Sequence, residues 1–550
     1  MVRLLGLRLV IGMTSMRFRI PLALLASAGI GLVTAPVSAQ VARPAEPAQA
    51  CEALKSAQFD KTTIDKVTFV AAGQVAEGSV LPAHCVVQAE IGARTGVQGV
   101  RYGIRYELRL PTPWNGRFQF QGGGGVDGVV RPAFGVLHPG VTPALAQGAA
   151  VASTDTGHQG SSTRDASFGL DPQARVDWGY NAVEQVTLQA KALVQRFYGE
   201  PARYAYFVGC SGGGRQGMMA AQRYPQHFDG IVSGAPILEQ HLAQVGSLVA
   251  LRAFQAIAPR NAKGEPILSR ALSQKDLQLI DNAVVAQCDA LDGAKDGIIE
   301  NYAACKVDLR ALQCAGEKTD ACLSRAQVSA FTEVMAGPRN SAGVQLYPGP
   351  PWDAGISSAT WRGNWLGTSE TATPNSAKYT NESIRNVFMT PADPTFDYLS
   401  FDVDRDPARM MASAGITTTR GVDYEGFKAR GGKTIVYVGM ADSLVNPAGV
   451  RDWYDRLVKA NGGLEATQRF ARFFIAPGVE HCRGGRGLDR FDPVTALQNW
   501  VERGVAPDTL ASSGAAFPGR TRMICAWPKI ARYKGQGSFD EAASFECAVP

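Results

Sequence analysis

Hydrophobic residues along the chain follow one rhythm, lose it, and then return to it. Gly103-Ile104-Arg105-Tyr106-Glu107-Leu108-Arg109-Leu110 alternates apolar and polar side chains, which predicts a half-buried strand. A turn over 111–116 follows, then a strand over Arg117–Gln121 that runs into Gly122-Gly123-Gly124-Gly125. Residues 149–153 form a short apolar run, as a fully buried strand does. Residues 185–197 space their apolar positions as an amphipathic helix. Ala205-Tyr206-Phe207-Val208-Gly209 reads as another buried strand, followed by a helix through Met218, Met219, Ala220 and Ala221 that stops near Pro225. From 238 to 425 the alternation is lost: two helical stretches, 273–286 and 324–335, stand among long loops rich in Gly, Pro and Trp. The rhythm resumes with a strand over Lys433–Gly439, a helix over 450–459 and a strand over Ala471–Ala476. Strands alternating with helices predict an α/β fold, a mostly parallel sheet covered on both faces. Its core comes in two parts, 51–237 and 426–550, and the inserted segment 238–425 is expected to form a lid over a site on the core loops.

Composition adds few constraints. A chain of 550 residues is long enough for more than one domain. Of the formal net charge of +6, four units come from Arg3, Arg8, Arg17 and Arg19 in an acid-free leader. The remainder is close to neutral, so no nucleic-acid partner is implied. Residues 1–39 read as a signal peptide. Arginines precede an apolar run over 21–33, too short to span a bilayer comfortably, and Val37-Ser38-Ala39 offers small residues for cleavage. Translation could start at Met1 or Met16. Residues 40–50 read as a flexible mature tail. A secreted or periplasmic protein with no stable membrane association after cleavage is expected. Ten cysteines, none in a C-x-x-C pattern, agree with an oxidising compartment. Three neighbouring pairs suggest local staples: Cys288–Cys305, Cys314–Cys322 and Cys525–Cys547.

The chemistry centres on Gly209-Cys210-Ser211-Gly212-Gly213. A serine between glycines, after a buried strand and before a helix, is a nucleophile elbow. A serine hydroxyl needs a base to take its proton and an acid to orient that base. In this fold class both follow the serine in the order acid, then histidine. Of the downstream histidines, His227 and His241 come before any further core strand, whereas His481 follows the strand ending at Ala476. His481 is the expected base. Asp442, directly after Lys433–Gly439, is the expected acid, since Asp452 and Asp455 lie inside the following helix. The oxyanion hole calls for two backbone donors. Gly212, next after the serine, supplies one, and Gly125 at the end of the glycine run supplies the other. Cys210 and Cys482 flank Ser211 and His481, so if serine and base meet, these two cysteines come near disulfide range.

Cys210-Ser211, Asp442 and His481-Cys482 together resemble the CS-D-HC motif of the tannase and feruloyl esterase family. The likeness runs through nearly all of the mature chain and extends to a secreted bacterial member that acts on mono(2-hydroxyethyl) terephthalate. It implies five disulfides, adding Cys51–Cys85 and Cys210–Cys482 to the three staples. It also gives meaning to the loop Asp289-Ala-Leu-Asp292-Gly-Ala-Lys-Asp296-Gly-Ile298. By spacing alone this loop is as well explained as a solvated acidic turn as by a metal. The resemblance implies a lid calcium held by Asp289, Asp292 and Asp296 and the carbonyls of Ala294 and Ile298, with no organic cofactor. It also implies substrate contacts at Trp365, Lys378, Glu382, Ser383 and Val445. A lysine and a glutamate there suit a carboxylate-bearing ring poorly, so gallic or ferulic esters are expected to react at least as well as the terephthalate monoester. The function implied is a secreted serine ester hydrolase acting on small esters of aromatic acids of feruloyl, galloyl or terephthalate type. A serine peptidase on the same fold and a non-catalytic exported binding protein are the rivals. The oligomeric state is not legible.

Overall fold

Nine strands hydrogen-bond into one mixed sheet in the computed structural model, which describes residues 46–550 apart from Pro139 and Arg420. The signal peptide read over 1–39 therefore lies outside the described residues. In chain order the strands are β1 (Thr62–Val70), β2 (His84–Thr95), β3 (Arg101–Pro111), β4 (Arg117–Gln121), β5 (Ala150–Thr154), β6 (Tyr204–Cys210), β7 (Gly230–Gly234), β8 (Lys433–Gly439) and β9 (Ala471–Ala476). Across the sheet they run β1-β2-β3-β5-β4-β6-β7-β8-β9. The first four are antiparallel neighbours. From β5 to β9 every pair is parallel.

Alternation along the parallel strands sends side chains to two apolar layers. Phe207, Ile231, Val436 and Phe473 pack with Val186, Ala190 and Leu193 of the helix Ala182–Tyr198 and with Met218 and Ala221 of the helix Gly212–Arg223. Tyr206, Val208, Val232, Ile435 and Tyr437 pack with Val494, Leu497 and Trp500 of the helix Pro493–Arg503. This is the α/β architecture expected, with helices on both faces.

The inserted segment joins the core. Phe254, Ile280 and Phe331, all within 238–425, belong to the same apolar cluster as Phe207 and Val436. Residues 46–550 accordingly form one compact unit. Two helices of the insertion, Gln274–Cys288 and Arg325–Ala336, begin at capping boxes in which Ser273 and Ser324 accept from the third helical residue. The stretch read as a flexible tail over 40–50 is corrected at its end. A helix spans Pro47–Glu52, with proline in its first turn, where no amide donor is needed, and with Cys51 tied to Cys85. Five disulfides close, Cys51–Cys85, Cys210–Cys482, Cys288–Cys305, Cys314–Cys322 and Cys525–Cys547, and no cysteine among the described residues is free.

Candidate active site

Ser211 stands where β6 ends and the helix Gly212–Arg223 begins. Its backbone is at φ 62°, ψ −123°. A non-glycine residue at positive φ costs on the order of 1–3 kcal/mol and persists only where its surroundings enforce it. Here the Ser211 N–H donates to the Gly234 carbonyl at 2.9 Å, and its carbonyl accepts from Arg215 N–H at 3.0 Å. The flanking glycines let strand and helix close up: a Cβ on Gly209 would lie 2.7 Å from the Gly213 carbonyl carbon. The turn thus lifts the serine side chain to the C-terminal edge of the sheet, beside a helix N-terminus whose first amides lack intrahelical acceptors.

The glycine run after β4 lies against that N-terminus. A Cβ on Gly212 would come 2.6 Å from the Gly125 carbonyl oxygen and 3.3 Å from the Gly125 nitrogen. Gly125 itself has φ 61°. Among the described residues neither the Gly125 nor the Gly212 N–H has an acceptor, which leaves two adjacent backbone donors beside Ser211. The run is pinned from below by Gln216. Its Oε1 accepts from Gly123 N–H at 3.1 Å and its Nε2 donates to the buried Asp127 carboxylate at 2.8 Å.

Asp442 and His481 follow β8 and β9. One Asp442 oxygen accepts from the N–H groups of Leu444 and Val445 at 2.8 and 2.9 Å, and the other lies 2.7 Å from His481 Nδ1. Burial pushes the imidazole pKa down, but the Asp442 charge and hydrogen bond outweigh it, leaving His481 above its ordinary value. The ring is competent as a base only when neutral, so that capacity fades as pH falls through the raised value. Ser211 and His481 line one cavity of about 660 Å3, with 122–125 on its wall. The Cys210–Cys482 bridge, with Cα atoms 6.1 Å apart, ties the two turns together. His227 and His241 do not line it.

The residues read as substrate contacts are placed differently. The helix Asn375–Glu382 turns Ser376, Tyr379 and Thr380 to the cavity. Lys378, exposed, and Glu382, which accepts from Asn386 at 3.1 Å, are not among the lining residues. Positions four apart share a helix face, and this pair occupies the face that the cavity does not see. Ser383 is buried and is not among the lining residues, and Trp365 lines an adjoining apolar cavity of about 90 Å3, which shares Ser247 and Leu444 with the large one and has Asp442 on its wall. Val445 is buried and serves Asp442 through its N–H. The charged residues on the large cavity are Glu77, Arg131, Arg164 and Arg483. All are exposed at its mouth, and Arg164 lies over the Tyr379 ring at 5.8 Å. No local motif marks these arginines in the sequence, because loops remote in the chain bring them together.

The acidic loop packs against the C-terminal strands. Asp289 accepts from Gly297 N–H at 2.9 Å, and Asp292 accepts from Ala294 and Glu300 N–H at 2.9 and 3.0 Å. Asp296 accepts from the buried Arg522 guanidinium. Burial, with repulsion from Asp296 and Asp289 added to it, lifts Asp292 to about 6. Glu300, buried beside Asp292, is lifted to about 8 by the same two causes. Among the described residues no three Asp, Glu, His or Cys side chains are gathered closely enough to enclose an ion. The loop is therefore rich in hard oxygen donors, with Asp296 paired to Arg522 and, at 3.7 Å, to Arg520.

Comparison with known proteins places this architecture. The family described as tannase and feruloyl esterase matches residues 86–548. The mono(2-hydroxyethyl) terephthalate hydrolase of Piscinibacter sakaiensis is 41% identical, over 91% of this chain and 92% of its own. A probable feruloyl esterase of Arthroderma benhamiae is 31% identical, over 80% of this chain and 81% of its own. The crystal structure of feruloyl esterase B from Aspergillus oryzae superposes with a TM-score of 0.78 at 27% identity, covering 92% of this chain and all of that one.

Proposed function

The chain belongs to the tannase and feruloyl esterase family, and we propose that it is an exported carboxylic ester hydrolase that cleaves small esters of aromatic acids through an acyl-enzyme on Ser211. The observation that carries this reading is the 2.7 Å contact from Asp442 to His481 at the wall of the cavity that holds Ser211. Asp442 fixes the tautomer and the plane of the ring. His481 takes the Ser211 proton as Oγ attacks the ester carbonyl. The oxyanion that forms is met by the N–H groups of Gly125 and Gly212. His481 then hands its proton to the alcohol oxygen, the C–O bond breaks, and the alcohol leaves. Water, deprotonated by the same ring, attacks the acyl-enzyme, the acyl C–Oγ bond breaks as His481 returns that proton to Ser211 Oγ, and the acid is released. A peptidase on the same fold is disfavoured because the family matched and the relatives are esterases and ester hydrolases. A non-catalytic binder has no use for a base oriented by a carboxylate beside a serine at an enforced positive φ.

The cavity mouth favours one substrate type. With Lys378 and Glu382 turned away, the charges that meet a substrate are three arginines against Glu77. Guanidinium groups attract and orient a carboxylate. An aromatic monoester carrying a free carboxylate is thus expected to exceed neutral feruloyl and galloyl esters in kcat/KM, by about tenfold at low salt, with the advantage shrinking as salt screens it. A screen of the three ester types at two ionic strengths checks this. Neutral phenolic esters turned over tenfold better at low salt would overturn the carboxylate preference and leave the esterase reading standing. No reaction with any of them, nor with a serine-directed phosphonate, would sink the esterase.

For the acidic loop the proposal is a calcium ion that would draw together Asp289, Asp292 and Asp296, which stand too far apart here to enclose one, with the carbonyls of Ala294 and Ile298. The donors are the hard oxygens that calcium takes, and the repulsion that Asp296 and Asp289 add to the burial of Asp292 is one a dication relieves. Such an ion would stabilise the fold of the insertion against the C-terminal strands and take no part in ester chemistry. Chelation is expected to lower the melting temperature by about 3 °C, the effect of losing a ligand present at roughly a hundred times its Kd. Asp292→Ala should abolish that response. Protein purified without chelator that contains no calcium by elemental analysis argues against the site. Export is proposed from the leader and the five closed disulfides. No helix among the described residues is long and apolar enough to cross a membrane.

A further inference from the structure

The His481 turn is held at both ends by buried carboxylates that come from the inserted segment. At its start, Gly478 N–H donates to Asp353 Oδ2 at 2.7 Å, a contact between residues 125 positions apart in the chain. The other Asp353 oxygen accepts from Ala354 N–H at 2.8 Å. At its far end, Arg486 reaches Asp281 at 3.4 Å. Asp281 also accepts from Gly355 N–H at 2.9 Å and from Ser357 Oγ at 2.5 Å, so the two carboxylates share one segment of the insertion. Asp353 is 4% exposed, and the Asp281 side chain is fully buried. Between these anchors the Val479 carbonyl accepts from Ala441 N–H at 3.0 Å, directly beside Asp442. The insertion grips the acid turn too, where Asn364 Nδ2 donates to Ser443 Oγ at 2.7 Å.

A buried carboxylate is expensive unless it is paired or well hydrogen-bonded, and burial drives Asp353 up to about 7, with Asp281 adding to the rise. An apolar side chain at 353 would spare that cost but leave the Gly478 amide without an acceptor. The contact therefore has a use other than bulk stability. We propose that Asp353 is a positioning residue: by holding Gly478, with Asp281 on Arg486 as its second point, it sets the His481 turn against Asp442 and Ser211. Seating of the insertion and alignment of the base then become one event. The insertion is accordingly part of the catalytic scaffold as well as a wall of the substrate cavity.

The proposal rests on the reading of Ser211 and His481 as nucleophile and base, and its test separates the two. Parent, Asp353→Ala and Asp353→Asn proteins are titrated with a serine-directed phosphonate, and kcat and KM are expressed per titrated site, so that misfolded protein is not counted. A misplacement of about 1 Å at a reacting group costs on the order of a hundredfold. The alanine variant should lose roughly ten- to a hundredfold in kcat with KM changed by less than about threefold. The asparagine variant keeps one acceptor oxygen for Gly478 while its NH2 faces the Ala354 N–H, which the parent's second oxygen accepts, so it should recover in part, to within about tenfold of the parent. An alanine variant within about twofold of the parent per titrated site, or an asparagine variant as impaired as alanine, overturns the proposal. A parent that does not titrate at all overturns the nucleophile itself.

Discussion

Ser211→Ala is expected to abolish ester hydrolysis while leaving the fold intact. The substitution removes one hydroxyl at the mouth of a cavity and disturbs none of the backbone hydrogen bonds, to Gly234 and from Arg215, that hold the turn. Alanine at φ 62° is as strained as serine, so the conformational cost is common to both. What remains is catalysis by the two backbone donors and by binding, which in serine hydrolases leaves about 10³–10⁴-fold over water out of a far larger total. Activity should therefore drop by at least about a thousandfold, with a thermal midpoint within about 2 °C of the parent. Retention of more than about a hundredth of the parent kcat, measured on protein free of contaminating esterase, would show that Ser211 is not the nucleophile.

Replacing both Cys210 and Cys482 is expected to lower stability and activity together. The bridge closes a loop of sequence separation 272 that contains the whole insertion. In the chain-entropy account, releasing so long a loop costs about 5 kcal/mol, less any strain relieved. Most bridges would stop at that. This one joins the neighbour of Ser211 to the neighbour of His481, so its loss also frees the base to drift from the serine. The expected result is a lower denaturant midpoint and a kcat reduced by roughly tenfold or more at temperatures where the variant remains folded. The Cys314–Cys322 bridge, of separation 8 and remote from the cavity, provides the contrast, since its removal should change kcat little. Free thiols at 210 and 482 in the unreduced, denatured parent would dispose of the bridge. Its loss without any change in kcat would make it a staple alone.

Some of this molecule is written in short stretches of sequence. The strands Lys433–Gly439 and Ala471–Ala476 have the bounds read from their apolar runs, because both are covered on their two faces, the second even though it ends the sheet, and tolerate little else. Gly209-x-Ser211-x-Gly213 announces its turn because only small neighbours permit that backbone. Asp442 and His481 were legible as residues just past strand ends. The helical stretches read from 273 and from 324 inside the insertion are the helices Gln274–Cys288 and Arg325–Ala336, whose starts the structure shows to be capped by those two serines. By contrast β1, at the edge of the sheet with most of its residues partly or fully exposed, has a register shift between Ile64 and Lys66 that breaks the strict alternation by which a strand is recognised.

The rest was decided only by packing. A sequence displays the period of a helix but not its phase: 375–382 is helical either way, and its neighbours turned Tyr379 and Thr380 inward and Lys378 outward. Arg131, Arg164 and Arg483 have nothing in common in the chain, and they share a cavity mouth because three separate loops end there. Asp353 looks like any aspartate in a proline-rich loop until Gly478 is found against it. Local sequence constrains which backbone a segment adopts, since sterics and hydrogen bonding act between near neighbours. Which face is buried, and which distant side chains come within 3 Å of one another, depends on the surfaces that segment meets, and only the folded chain supplies those.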